Sequence, residues 1–170
     1  MIGLCARSAS LSVEDIFVIF DRQLIEAALV LEMIPPAGMP EMARDALEAG
    51  LDGPTIRHLA TLEQPTYFEV APLLPKAREE IGLREVTKSE AALRIGKELA
   101  AEILARRTAD DPLPLCCAEQ FEWLWVKAGY PQELRSVGNL CGEIDLAKTR
   151  GQTISQIREW VTERLRALSA

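Results

Sequence analysis

The residues of this sequence singled out for covalent chemistry are a thiol and the single imidazole, among four cysteines and one histidine. Cys116 and Cys117 are adjacent, Cys5 and Cys141 stand apart from them, and His58 is the one histidine. Cys116 falls at the expected start of a helix, where free amides and the helix dipole favour a thiolate. His58 would serve as its general base if the fold brought the two together, and that pair makes a thiol-dependent enzyme one reading. Against it, Cys116 has no recognised nucleophile context, and cysteine is among the most often buried residues. A packed thiol is the plainer account. The cysteines show neither a disulfide framework nor a C-x-x-C pair, so reduced thiols in a cytoplasmic protein are the expectation.

Other chemistries find less support. One histidine cannot build a multi-histidine zinc site or a pair of Glu-x-x-His motifs. Glu98 with Glu102, and Glu119 with Glu122, lie one turn apart as carboxylate ligands would, but solvated helix faces produce the same spacing. No metal and no cofactor is expected. There is no G-x-x-x-x-G-K-[ST] or G-x-G-x-x-G phosphate loop and no G-x-S-x-G elbow. For binding, the candidates are Trp123, Tyr130 and Arg135. At about 100° per residue, Trp123 points about 200° away from Trp125. Phe121 and Trp125 read as core plugs, which leaves Trp123 for a surface contact. Tyr67, Tyr130 and Arg135 are further candidates to line a pocket with His58.

These residues must be positioned by helices. Thr87-Lys88-Ser89-Glu90 forms a capping-box pattern ahead of a helix reaching Arg107. On it, Ala92, Ile95, Leu99 and Ile103 form one apolar face, and Gly96 and Ala100 permit close approach of a neighbour. Asp111-Pro112-Leu113-Pro114 ends that helix. The next runs from Cys116 to Ala128, with Gly129 in the left-handed position after it, Tyr130 packing back and Pro131 barring continuation. Upstream, Ser12 caps a long helix from Val13 to about Met33 with Phe17, Phe20, Leu24 and Leu31 in its stripe, ended by Pro35-Pro36. Short helices follow: Pro40 to Ala49, stopped by Gly50-Leu51, and Pro54 to Leu62, capped by Asp52. Thr66 and Glu69 form a second capping box before Tyr67 to Ile81, where Pro72 and Pro75 force a kink or delay regular helix to near Pro72. Gly82-Leu83 repeats the Gly50-Leu51 stop. Residues 131–146 read as one or two short helices with a break at the weak helix formers Gly138 and Gly142. Gly151 closes that segment. Thr153 and Gln156 open a final helix lined by Ile154, Ile157, Val161, Leu165 and Leu168, with Trp160 at the stripe's edge.

No stretch alternates with period two. The fold class is therefore all-α, a compact bundle of about seven or eight helices without substantial sheet. The expected organisation is a lead-in over residues 1–12 and one helical domain over 13–170, divisible into subdomains 13–85 and 86–170. The 170 residues suffice for a sizeable core. The net charge of -7 is unevenly spread: residues 1–85 hold 14 acids against 7 bases, and residues 86–170 hold 12 of each. Phosphate binding needs a basic surface, so this balance argues against nucleic acid. Residues 1–12 lack the apolar core of a signal peptide. The apolar run Ile16 to Leu31 is interrupted by Asp21, Arg22, Gln23 and Glu26, too polar to span a bilayer. The expectation is a cytoplasmic protein without membrane contact.

Leu51-Asp52-Gly53-Pro54-Thr55-Ile56-Arg57-His58-Leu59-Ala60 resembles an L-D-[SG]-P-x-[LI]-R-x-L-A stretch found in small uncharacterised bacterial all-helical proteins. Those proteins also carry an aromatic helix followed by a G-Y-P-x-E-L turn, which is similar to Gly129-Tyr130-Pro131-Gln132-Glu133-Leu134 here. The resemblance, over residues 40–146, implies a bacterial, helical, cytoplasmic protein and brings no catalytic residues with it. Two functions remain open. One is an interaction or regulatory, immunity-type module whose acidic N-terminal half meets a basic protein partner. The other is a small-ligand protein or thiol enzyme using Cys116 and His58. Homodimerisation through the first or last helix is a further use of their broad apolar faces.

Overall fold

The computed structural model describes residues 21–105, 115 and 117–170. Among them there are eight α-helices of seven or more residues and no strand, an all-α architecture as expected. The chain divides into two compact units, one ending at Ala91 and the other running from Ala92 to Ala170.

The first unit holds α1 (Arg22–Val30), a 3₁₀ turn (Pro36–Gly38), α2 (Met39–Glu48), α3 (Pro54–Thr61), α4 (Tyr67–Val70) and α5 (Leu74–Glu80). Asp21 is extended, with φ -103° and ψ 115°. Its carboxylate accepts from the amides of Gln23 at 2.7 Å and Leu24 at 3.1 Å. No helix runs through a residue in that conformation, which corrects the expectation of one helix from Val13 to Met33. The expected cap Ser12 and the stripe residues Phe17 and Phe20 lie outside the described residues. At its other end α1 stops before Pro35-Pro36 is reached. Glu32 takes φ 51°, and the Met33 amide donates to the Ala28 carbonyl at 2.8 Å, a Schellman ending.

Glycine closes α2 and α5 in the same way, as their sequences predict. Gly50 and Gly82 have φ of 79° and 65°, and the Leu51 and Leu83 amides reach back to Ala46 and Arg78, each at 2.9 Å. Asp52, however, does not cap α3. The cap position is Gly53, and Asp52 is forked onto Arg57. The amides a cap would serve go to the carboxylate of Glu80, the last residue of α5. A side chain at Gly53 would overlap that carboxylate, so the residue's smallness admits the remote cap.

Between these helices the prolines divide the Tyr67–Ile81 stretch. Glu69 accepts from the Thr66 amide and hydroxyl, both at 2.8 Å, and starts the single turn α4. A turn over residues 71–73 follows. Regular helix resumes at Leu74, where Pro75 in the first turn sacrifices no intrahelical hydrogen bond. Ile25, Met39, Met42, Ala43, Ala46, Ile56, Leu59, Val70, Ala77 and Ile81 bury one common core. The Glu26 side chain is also buried and accepts from the Arg84 amide at 2.8 Å, with the Arg84 guanidinium Nε at 3.9 Å. A buried carboxylate needs such partners, since an isolated one is strongly disfavoured.

The second unit takes up α6 (Lys88–Ala105) from Ala92 onward. It continues with α7 (Ala118–Lys127), a 3₁₀ turn (Gln132–Leu134), α8 (Arg135–Gly138), α9 (Leu140–Thr149) and α10 (Ile154–Ser169). The Glu90 amide donates to the Thr87 hydroxyl at 3.1 Å as the capping pattern requires, and Ala92, Ile95, Leu99 and Ile103 are all buried. Gly96 admits close approach: a Cβ there would lie 3.0 Å from a Leu134 methyl, 3.5 Å from one of Leu124 and 3.6 Å from one of Leu168. On α10, Thr153 and Gln156 complete their capping box. Ile157, Val161, Leu165 and Leu168 are buried, but Ile154 is exposed. The apolar stripe outruns the core by one turn, which corrects the expectation that Ile154 lines it.

Candidate functional site

Helix α7 has two contrasting sides. Ala118, Phe121 and Leu124 are buried, whereas Glu119, Glu122, Trp123 and Val126 are exposed. At about 100° per residue the four exposed residues share one arc of the helix. Trp123 is 45% and Val126 48% exposed, so an aromatic and a branched apolar side chain stand in water beside two carboxylates. The sequence singles out Trp123. Val126, three residues later on the same arc, was legible from spacing alone, yet an apolar residue in an amphipathic helix reads first as core.

On the α9 side of this face sits Cys141, half-buried. Burial first, then its hydrogen bond to the Glu122 carboxylate, then the negative charges of Glu122, Glu119 and Asp145 push its thiol up to about 12. Three carboxylates therefore bear on one thiol, of which Asp145 is itself paired with Lys148 at 3.3 Å. This arrangement suits attraction of cations and opposes formation of a thiolate.

The opposite side of α7 shows how the aromatic residues are divided. Trp125 is half-buried, with its indole lying on Gly138, where a side chain would overlap the ring. Its Nε1–H donates to the Pro131 carbonyl at 3.0 Å. Gly129 and Tyr130 both take left-handed backbone, with φ of 82° and 61°, and the Tyr130 amide reaches the Trp125 carbonyl at 2.8 Å. The Tyr130 ring then packs edge-on against Trp125, centroids 4.9 Å apart. Tyr130 thus packs back as expected while remaining exposed. Gly138, a mere helix weakener by propensity, is the floor on which Trp125 rests. Arg135 is exposed at the first residue of α8.

The residues proposed for covalent chemistry fare differently. Cys116 lies outside the described residues. Its neighbour Cys117 is buried just ahead of α7. His58 is exposed in the last turn of α3 in the first unit, where its carbonyl accepts from the Thr61 hydroxyl at 2.8 Å. Tyr67, the other pocket candidate from that unit, is also exposed. Among the described residues no three histidine, cysteine or acidic side chains gather as a metal site would require, and no helix is long and apolar enough to cross a membrane. Comparison with protein-family models, with curated proteins and with solved structures finds no match to this chain.

Proposed function

We propose that this chain is a protein-interaction module, acting by binding and not by catalysis, whose partner presents basic groups around an apolar centre. The observation that carries the reading is the exposed face of α7. A fully exposed large apolar side chain forgoes about 1.5–3 kcal/mol of burial, and α7 leaves Trp123 and Val126 about half exposed on one arc. Tryptophan at the centre of a patch with a polar rim is the usual composition of a binding hot spot. Glu119 and Glu122 supply that rim, and their exposed carboxylates favour a cationic partner. Tyr130 and Arg135, exposed beyond the end of the helix, extend the surface available to it.

A regulatory or immunity-type role in the bacterial cytoplasm agrees with this reading. Its supports are the acidic composition, with a sequence pI of about 4.9, and the resemblance carried by residues 51–60 and 129–134. The test uses the immobilised full chain as bait in lysate of its source organism, at low and at high salt. A stoichiometric protein is expected to be retained at low salt, released at high salt, and lost from a Trp123→Ser, Val126→Ser double variant that keeps the parent circular dichroism. A partner held equally by the variant would remove α7 from the binding surface, and retention of none would end the interaction reading.

A further inference from the structure

We infer that the exposed ring pair Tyr67–Phe68 in the first unit is a second docking site, built to take an arginine-bearing segment of a partner protein. Phe68 is 88% exposed and Tyr67 67%, more than any apolar residue of α7. The two rings meet edge-on, with centroids 6.1 Å apart and planes at 78°, so they present one ring face and one ring edge side by side. Their backbone is pinned from both ends. Pro65 and Val70 are buried, Gln64 turns the chain with φ 47°, and Glu69 holds the Thr66 amide and hydroxyl. The pair is thus presented on a fixed support, which lowers the ordering cost of binding.

Charge selects the occupant. Residues 21–91 carry 13 acidic and 7 basic side chains, a net charge of -6, and the exposed Glu63 and Glu69 flank the ring pair in sequence. Such a field repels phosphate backbones and anionic lipid. Exposed aromatic faces in an acidic unit match a cation with a flat, weakly hydrated surface. Guanidinium has that surface and also pairs with carboxylates in a fork, whereas lysine is a compact, strongly hydrated charge. The chain makes the same contact internally: the Arg164 guanidinium carbon lies 4.8 Å from the centre of the Trp160 ring. This site belongs to a different unit from α7 and does not depend on the reading given to that helix.

The probe is a blocked peptide of alternating arginine and glycine, titrated into the isotopically labelled full chain and followed by amide resonances, with the lysine–glycine peptide as comparison. Saturable shifts centred on residues 66–70 are expected, with the arginine peptide binding several-fold tighter than the lysine peptide. A Tyr67→Ser, Phe68→Ser variant, changed only at exposed positions, should bind about tenfold more weakly, and Glu63→Gln a few-fold more weakly. Trp123→Ser should bind as the parent does, so failure here and failure at α7 are separately visible. Equal affinity for the two peptides, shifts scattered over the acidic surface, or unchanged binding by the serine variant would overturn the inference. So would movement of the 66–70 resonances with protein concentration, which would assign the rings to a second copy, or with zwitterionic vesicles, which would assign them to a membrane surface.

Discussion

Glu80 and Thr55 are joined by three hydrogen bonds across 25 residues of sequence. The Thr55 amide lies 2.9 Å and 3.1 Å from the two carboxylate oxygens, and its hydroxyl donates to one of them at 2.7 Å. Burial pushes the Glu80 carboxyl up, but the Thr55 hydroxyl and the Ile56 and Thr55 amides outweigh it and hold the group below its ordinary 4.5. A carboxylate depressed in the folded state stabilises the fold above its ordinary pKa, and that stability is lost as pH falls through the lower, folded value. The parent should therefore lose stability as pH drops below about 4.5. Glu80→Gln should lower the thermal midpoint by several degrees at neutral pH and flatten the acid limb of the profile. Calorimetry across acidic and neutral pH reads both. Some acid limb should survive, because Arg57 holds Asp52 low and the Thr66 amide holds Glu69 low.

The same arrangement makes Gly53 a steric requirement. Gly53→Ala must displace the Glu80 carboxylate and should cost about 0.5–2 kcal/mol, the range for losing a helix cap. Gly53→Ala combined with Glu80→Ala should cost less than the sum of the two single changes, because the shared contact is removed only once. Urea melts of the four proteins give the coupling. Additive costs would show that Gly53 matters for some other reason.

Two other glycines should respond differently to alanine. At Gly138 the new methyl would overlap the Trp125 ring, and overpacking of that kind costs about 1–3 kcal/mol. At Gly96 the nearest atom is a Leu134 methyl at 3.0 Å, the movable end of a side chain. There the gain of about 1 kcal/mol in helix propensity offsets most of the strain. Gly138→Ala should melt well below the parent and Gly96→Ala close to it. Gly138→Ala should also change the tryptophan near-ultraviolet circular dichroism, because Trp125 must leave its seat.

Cys141 should resist alkylation. A thiol raised from an ordinary 9.0 to about 12 holds about a thousandfold less thiolate at neutral pH, and the thiolate is the nucleophile. Peptide mapping after iodoacetamide treatment of the folded chain should find Cys141 modified far more slowly than in the unfolded chain. Glu122→Gln, which removes the negative charge that opposes ionisation, should speed the reaction. An unchanged rate in that variant would separate the thiol from its carboxylate neighbour.

Signals that act within a few residues are legible in the sequence. Gly50, Gly82, Gly129 and Gly151 each end a helix with positive φ, and the capping boxes at Thr66 and Thr153 form as written. A cap supplied from elsewhere in the chain leaves no such mark. Asp52 stands where a local cap belongs, yet Glu80 does the work, and the Asp52–Arg57 fork is an equally ordinary use of an aspartate. Gly138 looks like a defect until Trp125 is placed upon it. Trp123 was legible as outward-facing because helical spacing sets it against Trp125. Phe68 was not, because a phenylalanine two residues after a helix cap reads as core whichever way its turn faces.

The contact between Glu26 and Arg84 spans 58 residues, and this separation has a consequence during synthesis. A ribosome emits the carboxylate long before the amide that donates to it. Until residue 84 has cleared the exit tunnel, the Arg84 amide and guanidinium cannot reach Glu26, so this link between α1 and the segment after α5 is among the last contacts of the first unit to become available.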